Sequence, residues 1–195
     1  MRELLVATSN EGKLKEILSI MEGVPFTVRS LKDVGLADIE EPAETLEGNA
    51  LIKAFTYGKR SGMLTLADDT GLEVDALDGA PGVRTARYAE DHEARNQKLL
   101  RALADVPDSE RGATFRTVAA IYDPVTDKVR TFEGSCVGSI TREYRGTNGF
   151  GFSPIFEVAE NGKTLAEMEM DELHKVNHRS KAFKKAREII LKEFV

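Results

Sequence analysis

Glu3-Leu4-Leu5-Val6-Ala7-Thr8-Ser9-Asn10-Glu11-Gly12-Lys13-Leu14 is the stretch that decides how the rest of the chain is read. Its first five residues form an apolar run of the length of a buried strand. Small polar residues follow, and then Leu14, Ile17, Leu18 and Met21 recur at i, i+3, i+4 and i+7, the stripe of an amphipathic helix. A buried strand feeding a helix opens an α/β fold. Thr8 and Glu11 fit a T-x-x-E capping box, with Ser9 and Asn10 as alternative caps. The helix start leaves backbone N–H groups that attract phosphate. Lys13 adds to this reading: a cation in the first turn opposes the helix dipole, and an anionic ligand removes the conflict. G-x-x-x-x-G-K-[ST] is absent, so this is not a Walker A loop. A capped helix with a solvated lysine is the plain alternative.

Outward from this stretch, a strand is predicted near Thr27 to Ser30, then the acidic loop Asp38-Ile39-Glu40-Glu41-Pro42. A helix is predicted from Thr45 towards Arg60, with Leu46, Ala50 and Ala54 inward and Gly62 as its stop. Met63 to Ala67 reads as a buried strand ending in Asp68-Asp69-Thr70-Gly71, and Leu72 to Ala76 alternates as a half-exposed strand. Gly79-Ala80-Pro81-Gly82 is a turn cluster. A helix over Glu93 to Ala104 is capped near Asp91. Ala113 to Tyr122 and Lys128 to Gly134 read as a hairpin, which Ser135 to Thr141 continues. Gly146 to Pro154 is a Gly-rich loop and Ile155 to Val158 a strand. The last helix starts near Asn177 and buries Phe183, Ala186, Ile190 and Phe194. The sum is one α/β chain with a mixed sheet and flanking helices, bent into two lobes with a cleft between them.

Composition narrows the function. Of 195 residues, 41% are hydrophobic and 31% charged, the balance of a globular protein. No apolar run approaches a membrane span. Met1 to Ala7 is too short for a secretory leader core, so a cytoplasmic protein is expected. The single cysteine, Cys136, makes neither an internal disulfide nor a Cys-rich zinc site. A net charge of −6 argues against sequence-independent nucleic-acid binding. A small anionic ligand held by a few local cations is compatible with it.

Four groups of residues carry possible chemistry. The first is Thr8 to Lys13. The second is Glu40 and Glu41 with Asp68 and Asp69: two aspartates closing an apolar strand repel one another, and Mg²⁺ would neutralise them while taking its other ligands from water and phosphate. Adjacent strand residues point to opposite faces, so at most one of Asp68 and Asp69 aims straight into a given site. Solvated turn carboxylates are the alternative. The third is Gly146-Thr147-Asn148-Gly149-Phe150-Gly151-Phe152-Ser153-Pro154, where an aromatic ring could stack on a base and one of the two rings is expected in the core. The fourth is His178-Arg179, cationic groups at a helix start; Arg179 offers donors to a carbonyl or phosphate oxygen. His174 and His178, four apart, lack a third metal ligand.

Together these motifs resemble the HAM1/RdgB-type inosine triphosphatase family. The resemblance covers nearly the whole chain. It rests on Thr8 to Lys13, Ala67-Asp68-Asp69-Thr70-Gly71-Leu72, Gly79 to Val83 with Ala86-Arg87-Tyr88, Gly149 to Phe156, and Asn177-His178-Arg179. It implies one nucleoside triphosphate pyrophosphatase domain over residues 1–195, an elongated two-lobed fold around a cleft, and a homodimer. It implies Mg²⁺-dependent hydrolysis of ITP, dITP and XTP to the monophosphate and pyrophosphate. By motif match, Thr8, Ser9, Asn10, Glu11, Gly12 and Lys13 would hold the phosphates. Asp69 would be the general base or a metal carboxylate, Glu40 or Glu41 the other acidic ligand, and Asp68 would lie close by. Thr70 would touch the substrate, Phe150 with Gly151, Phe152 and Ser153 would hold the purine, and His178 with Arg179 would read its 6-keto edge. Three positions depart from the family pattern: Ser9 replaces a glycine, Ser153 replaces an aspartate, and Leu173 replaces a lysine for which Lys175 is the nearest substitute. A Maf-type pyrophosphatase for modified pyrimidine triphosphates and a non-catalytic nucleotide sensor are the competing readings.

Overall fold

The computed structural model describes residues 2–195, so Met1 lies outside it. The strands are β1 (Glu3–Ala7), β2 (Thr27–Ser30), β3 (Leu64–Val74), β4 (Pro81–Gly82), β5 (Gly112–Asp123), β6 (Lys128–Ile140) and β7 (Phe156–Val158). The α-helices are α1 (Glu11–Ile20), α2 (Leu46–Ser61), α3 (His92–Ala102), α4 (Met170–Val176) and α5 (His178–Glu193). The strands hydrogen-bond in the order β2-β1-β3-β5-β6-β7, and β4 pairs with β3. The sheet is mixed, as expected. The chain forms two compact units. One contains the chain up to Asp69, Thr117–Gly134 and Arg179–Val195; the other contains Thr70–Arg116 and Ser135–His178.

In the first unit β1 lies between β2 and β3, parallel to both. Strand alternation divides the residues of β1 between two cores. Leu4 and Val6 join Ile17, Ile20 and Met21 near α1 and Phe183, Ala186 and Ile190 of α5. Leu5 and Ala7 join Ala50, Ala54 and Tyr57 of α2. Hence α1 and α5 cover one face and α2 the other. Each large apolar side chain buried this way contributes about 1.5–3 kcal/mol. Leu18 departs from the expected stripe: it is 41% exposed, while Glu16 is buried in the same helix.

Local signals set the helix ends. Asn10, not Thr8, caps α1, its side chain accepting the Lys13 N–H. Thr45 caps α2 by accepting the Gly48 N–H, and Gly62 ends it at φ +70°. Gly58 lets α2 lie close on the sheet, because a Cβ there would come within 2.6 Å of the Tyr122 ring.

One boundary differs in a way that matters. The sequence predicts a strand over Met63 to Ala67 that ends in Asp68-Asp69-Thr70-Gly71 before a second strand at Leu72. Instead β3 runs unbroken for 11 residues through Asp68-Asp69-Thr70-Gly71. Both aspartates are buried, so their charges are met by side chains rather than by water.

The second unit has its own core. Leu72, Val74, Leu99, Leu103, Phe115 and Phe156 belong to it, with Leu173 and Val176 of α4. Here β3 pairs antiparallel with β4, and β6 with β7. The separate helix α4 was not expected from the sequence.

Candidate active site

The register of β1 against β3 builds the site. Ala7 is opposite Ala67, so the segments leaving these two strand positions, Thr8 to Lys13 and Asp68-Asp69, emerge side by side. The C-terminal edge of parallel strands is where α/β folds place ligands. Lys13 Nζ is 2.9 Å from Asp68 Oδ2.

Because β3 continues, its two aspartates point to opposite faces. Asp68 shares the face of Leu64 and Leu66, under α1 and α5. There it meets Lys13 from α1 and, at 3.9 Å, the Nε of Arg179 from α5. Arg179 also donates from Nη1 to Glu16 Oε2 at 2.6 Å. Burial pushes the Asp68 carboxyl up, but Lys13, Arg179 and Lys53 together outweigh it and hold it well below the usual carboxylate range. Burial draws the Lys13 ammonium below its ordinary value, against the pull of Asp68.

Asp69 shares the face of Ala67, under α2. Its Oδ2 accepts from Asn49 Nδ2 at 3.1 Å, and its Oδ1 is 4.0 Å from Lys53 Nζ. Lys53 also donates to Glu41 Oε1 at 2.9 Å. Burial raises the proton affinity of Asp69, nearby Glu41 adds to this, and Lys53, Lys13 and Asn49 offset it only in part. Lys53 moves the other way from burial: Asp68, Asp69 and Glu41 raise it. A buried carboxylate with raised proton affinity beside a lysine is suited to general-base chemistry.

Lys53, Asn49 and Glu16 belong to none of the motifs in the sequence. A signal for the first two exists: Leu46, Asn49, Ala50, Lys53, Ala54 and Tyr57 fall on one helical stripe, so two polar residues sit in a face that is otherwise apolar. Of the two loop glutamates, Glu41 is brought to Lys53, whereas Glu40 is exposed. Among the described residues, no group of three or more His, Cys, Asp and Glu side chains could hold a metal ion. Glu41 and Asp69, converging on one ammonium, form a two-carboxylate set. That fits Mg²⁺, which takes one or two carboxylates and draws the rest from water and phosphate.

The second unit carries the remaining predicted residues. Phe152 is in its core, as expected for one ring of the pair, and Phe150 is half-buried with its ring 6.4 Å from that of His92. Gly151 accepts through its carbonyl from Asn96 Nδ2 at 3.0 Å. The Ser153 hydroxyl donates to the Phe150 carbonyl at 2.7 Å. His178 is buried, stacked on Phe115 with centroids 4.5 Å apart. Thr70 is half-buried and Lys175 exposed. His174 lies in α4 and His178 opens α5, so the two do not form a pair on one helix.

The sequence model of the Ham1 family matches residues 4–189. The chain belongs to the Ham1 family. Its curated relatives include the dITP/XTP pyrophosphatase of Desulforamulus reducens, 44% identical over 99% of this chain and 98% of that protein. The dITP/XTP pyrophosphatase of Geobacter sulfurreducens is 47% identical over 93% of each chain. The solved structure of a HAM1 protein from Coxiella burnetii superposes with a TM-score of 0.88 at 36% identity, over 98% of this chain and 100% of that one.

Against the Ham1 pattern, the three departures have distinct placements. Ser9 is exposed just before the α1 cap. Leu173 is buried in the core of the second unit, an environment in which a lysine would lose its hydration. Ser153 directs its hydroxyl to the backbone of its own loop. No helix among the described residues is long and apolar enough to cross a membrane.

Proposed function

We propose that residues 1–195 form one pyrophosphatase domain that hydrolyses non-canonical purine nucleoside triphosphates, dITP, XTP and ITP, to the monophosphate and pyrophosphate. The observation that carries this reading is the meeting of Lys13, Lys53, Asp68 and Asp69 just beyond Ala7 and Ala67, where the parallel pairing of β1 with β3 ends. The naming of full-length relatives as dITP/XTP pyrophosphatases supports the substrate class. Membership of the Ham1 family sets the Maf-type reading aside.

The roles follow from the geometry. Lys13 and the amides at the start of α1 bind phosphate oxygens. Asp68 keeps the Lys13 ammonium where the β1–β3 pairing ends. Asp69, whose Oδ2 is bound by Asn49, takes a proton from the attacking water at Oδ1. Lys53 offsets the charge that Glu41 and Asp69 would otherwise concentrate. Glu41 would be the carboxylate that holds Mg²⁺, with water and phosphate oxygens as its other ligands, and the ion when bound neutralises phosphate charge. Phosphoryl chemistry depends mainly on such positioning and charge neutralisation. Phe150 is the aromatic ring we assign to the purine. The reading includes a cytoplasmic homodimer that acts on free nucleotides, not on nucleic acid or at a membrane.

The test is incubation with dITP, XTP, ATP and GTP in the presence of Mg²⁺, with identification of products. Pyrophosphate and a monophosphate from dITP and XTP, with slow turnover of ATP, are expected. Orthophosphate would overturn the cleavage position. Binding without turnover would make the protein a sensor.

A further inference from the structure

Asn49 is buried in the second turn of α2, at 2% exposure, and its side-chain amide makes three hydrogen bonds. Its Oδ1 accepts from the Ala43 N–H at 2.9 Å, and its Nδ2 donates to the Ala43 carbonyl at 3.3 Å. The same Nδ2 donates to Asp69 Oδ2 at 3.1 Å. One side chain therefore grips both backbone groups of a residue two positions after Glu41, and it also orients the Asp69 carboxylate. Only a carboxamide supplies an acceptor together with two donors; an aspartate has no donor, and a glutamine is one methylene longer. The loop is seated closely as well, since a Cβ on Gly48 would come within 2.7 Å of the Ala43 Cβ.

We propose that Asn49 is a positioning residue that fixes the Asp69 carboxylate and the Glu41–Ala43 segment relative to one another. This rests on the reading of Asp69 as the proton acceptor. Removing the clamp leaves Glu41 tied through Lys53 and lets Asp69 turn about its side-chain torsions. A small misplacement of a reacting group costs about 100-fold in rate.

The test compares wild type, Asn49→Asp, Asn49→Ala and Asp69→Asn as full-length chains. It uses turnover of dITP with Mg²⁺, thermal midpoints, and amide hydrogen exchange at Ala43 in the absence of metal and nucleotide. Asn49→Asp keeps the acceptor for the Ala43 N–H but turns the donor towards Asp69 and the Ala43 carbonyl into an acceptor. It is expected to lower kcat by about 100-fold with KM within about threefold of wild type, while Ala43 stays protected. Asn49→Ala is expected to lose both rate and protection. If Asn49→Asp does not fold, Asn49→Ser, too short to span to Asp69, takes its place with the same expected loss of kcat. Wild-type kcat in Asn49→Asp, or in Asn49→Ser where that replaces it, alongside an inactive Asp69→Asn overturns the positioning role alone. Wild-type kcat in Asp69→Asn overturns the reading beneath it.

Discussion

The two faces of the sheet at Asp68 and Asp69 differ in how they meet a buried carboxylate. On the α1 and α5 face, Asp68 is met by Lys13 at 2.9 Å, with Arg179 at 3.9 Å, and is held firmly ionised. On the α2 face, Asp69 has an amide at 3.1 Å and a lysine at 4.0 Å that Glu41 also claims, and its proton affinity rises. Two adjacent and chemically identical residues thus acquire opposite properties from the helices laid over them. An acid matched by cations anchors structure; an acid short of cations is available to exchange a proton.

Replacing Asp69 should give the largest break in this comparison. Asp69→Asn is expected to cut kcat by about 10²–10⁴-fold while the protein stays folded, measured as pyrophosphate release alongside circular dichroism. Its stability should also respond to pH with a definite sign. A carboxyl whose folded pKa is raised contributes stability at low pH and loses it as pH rises through that pKa. The melting temperature of Asp69→Asn relative to wild type should therefore climb with pH.

Asp68→Asn should act chiefly on the fold. Removing one partner of a buried ion pair costs about 3–5 kcal/mol, because the Lys13 ammonium is left without its carboxylate. Denaturant titration measures this. The sign runs opposite to that of Asp69. A depressed pKa contributes stability in full above the ordinary value of 3.8, and that contribution is lost as pH falls below it. The gap between wild type and Asp68→Asn should be constant near neutrality and close in acid.

Lys53→Met sharpens the contrast further. It removes the cation that Glu41 and Asp69 share, so Asp69 should hold its proton to higher pH. The acid limb of kcat/KM is expected to shift upwards, with a loss of about 10-fold or more at neutral pH.

The smallest effect is expected in the second unit. Ser153→Ala removes one hydrogen bond to the Phe150 carbonyl, worth about 0.5–1.5 kcal/mol. The KM for dITP should rise several-fold with kcat little changed.

The βαβ opening was legible because its signals are local: the apolar run Glu3 to Ala7, the apolar stripe of Leu14, Ile17 and Met21, and the stop of the next helix at Gly62. Lys13 and Asp69 stood out as candidates because a cation at a helix start and an acid after an apolar strand conflict with stability alone. Periodicity could not tell that β3 passes through its aspartates, since a charged pair mimics the end of a strand. Only the cations of α1, α2 and α5 make that continuation tolerable, and they come from distant sequence. Lys53 and Asn49 were missed for a related reason. A polar residue on an apolar stripe reads as an imperfection until its partner 16 or 20 residues away is known.

Gly58 gives the α2 face a tolerance set at a distance. The Asn49 amide and the Lys53 ammonium ride on the same rigid rod, and the depth of that rod is limited by the Tyr122 ring beneath Gly58. A single methyl group added there would lift the rod and shift both groups away from Asp69 without altering either of them. Natural variation at this inconspicuous glycine should therefore be policed as strictly as variation at Asn49 or Lys53.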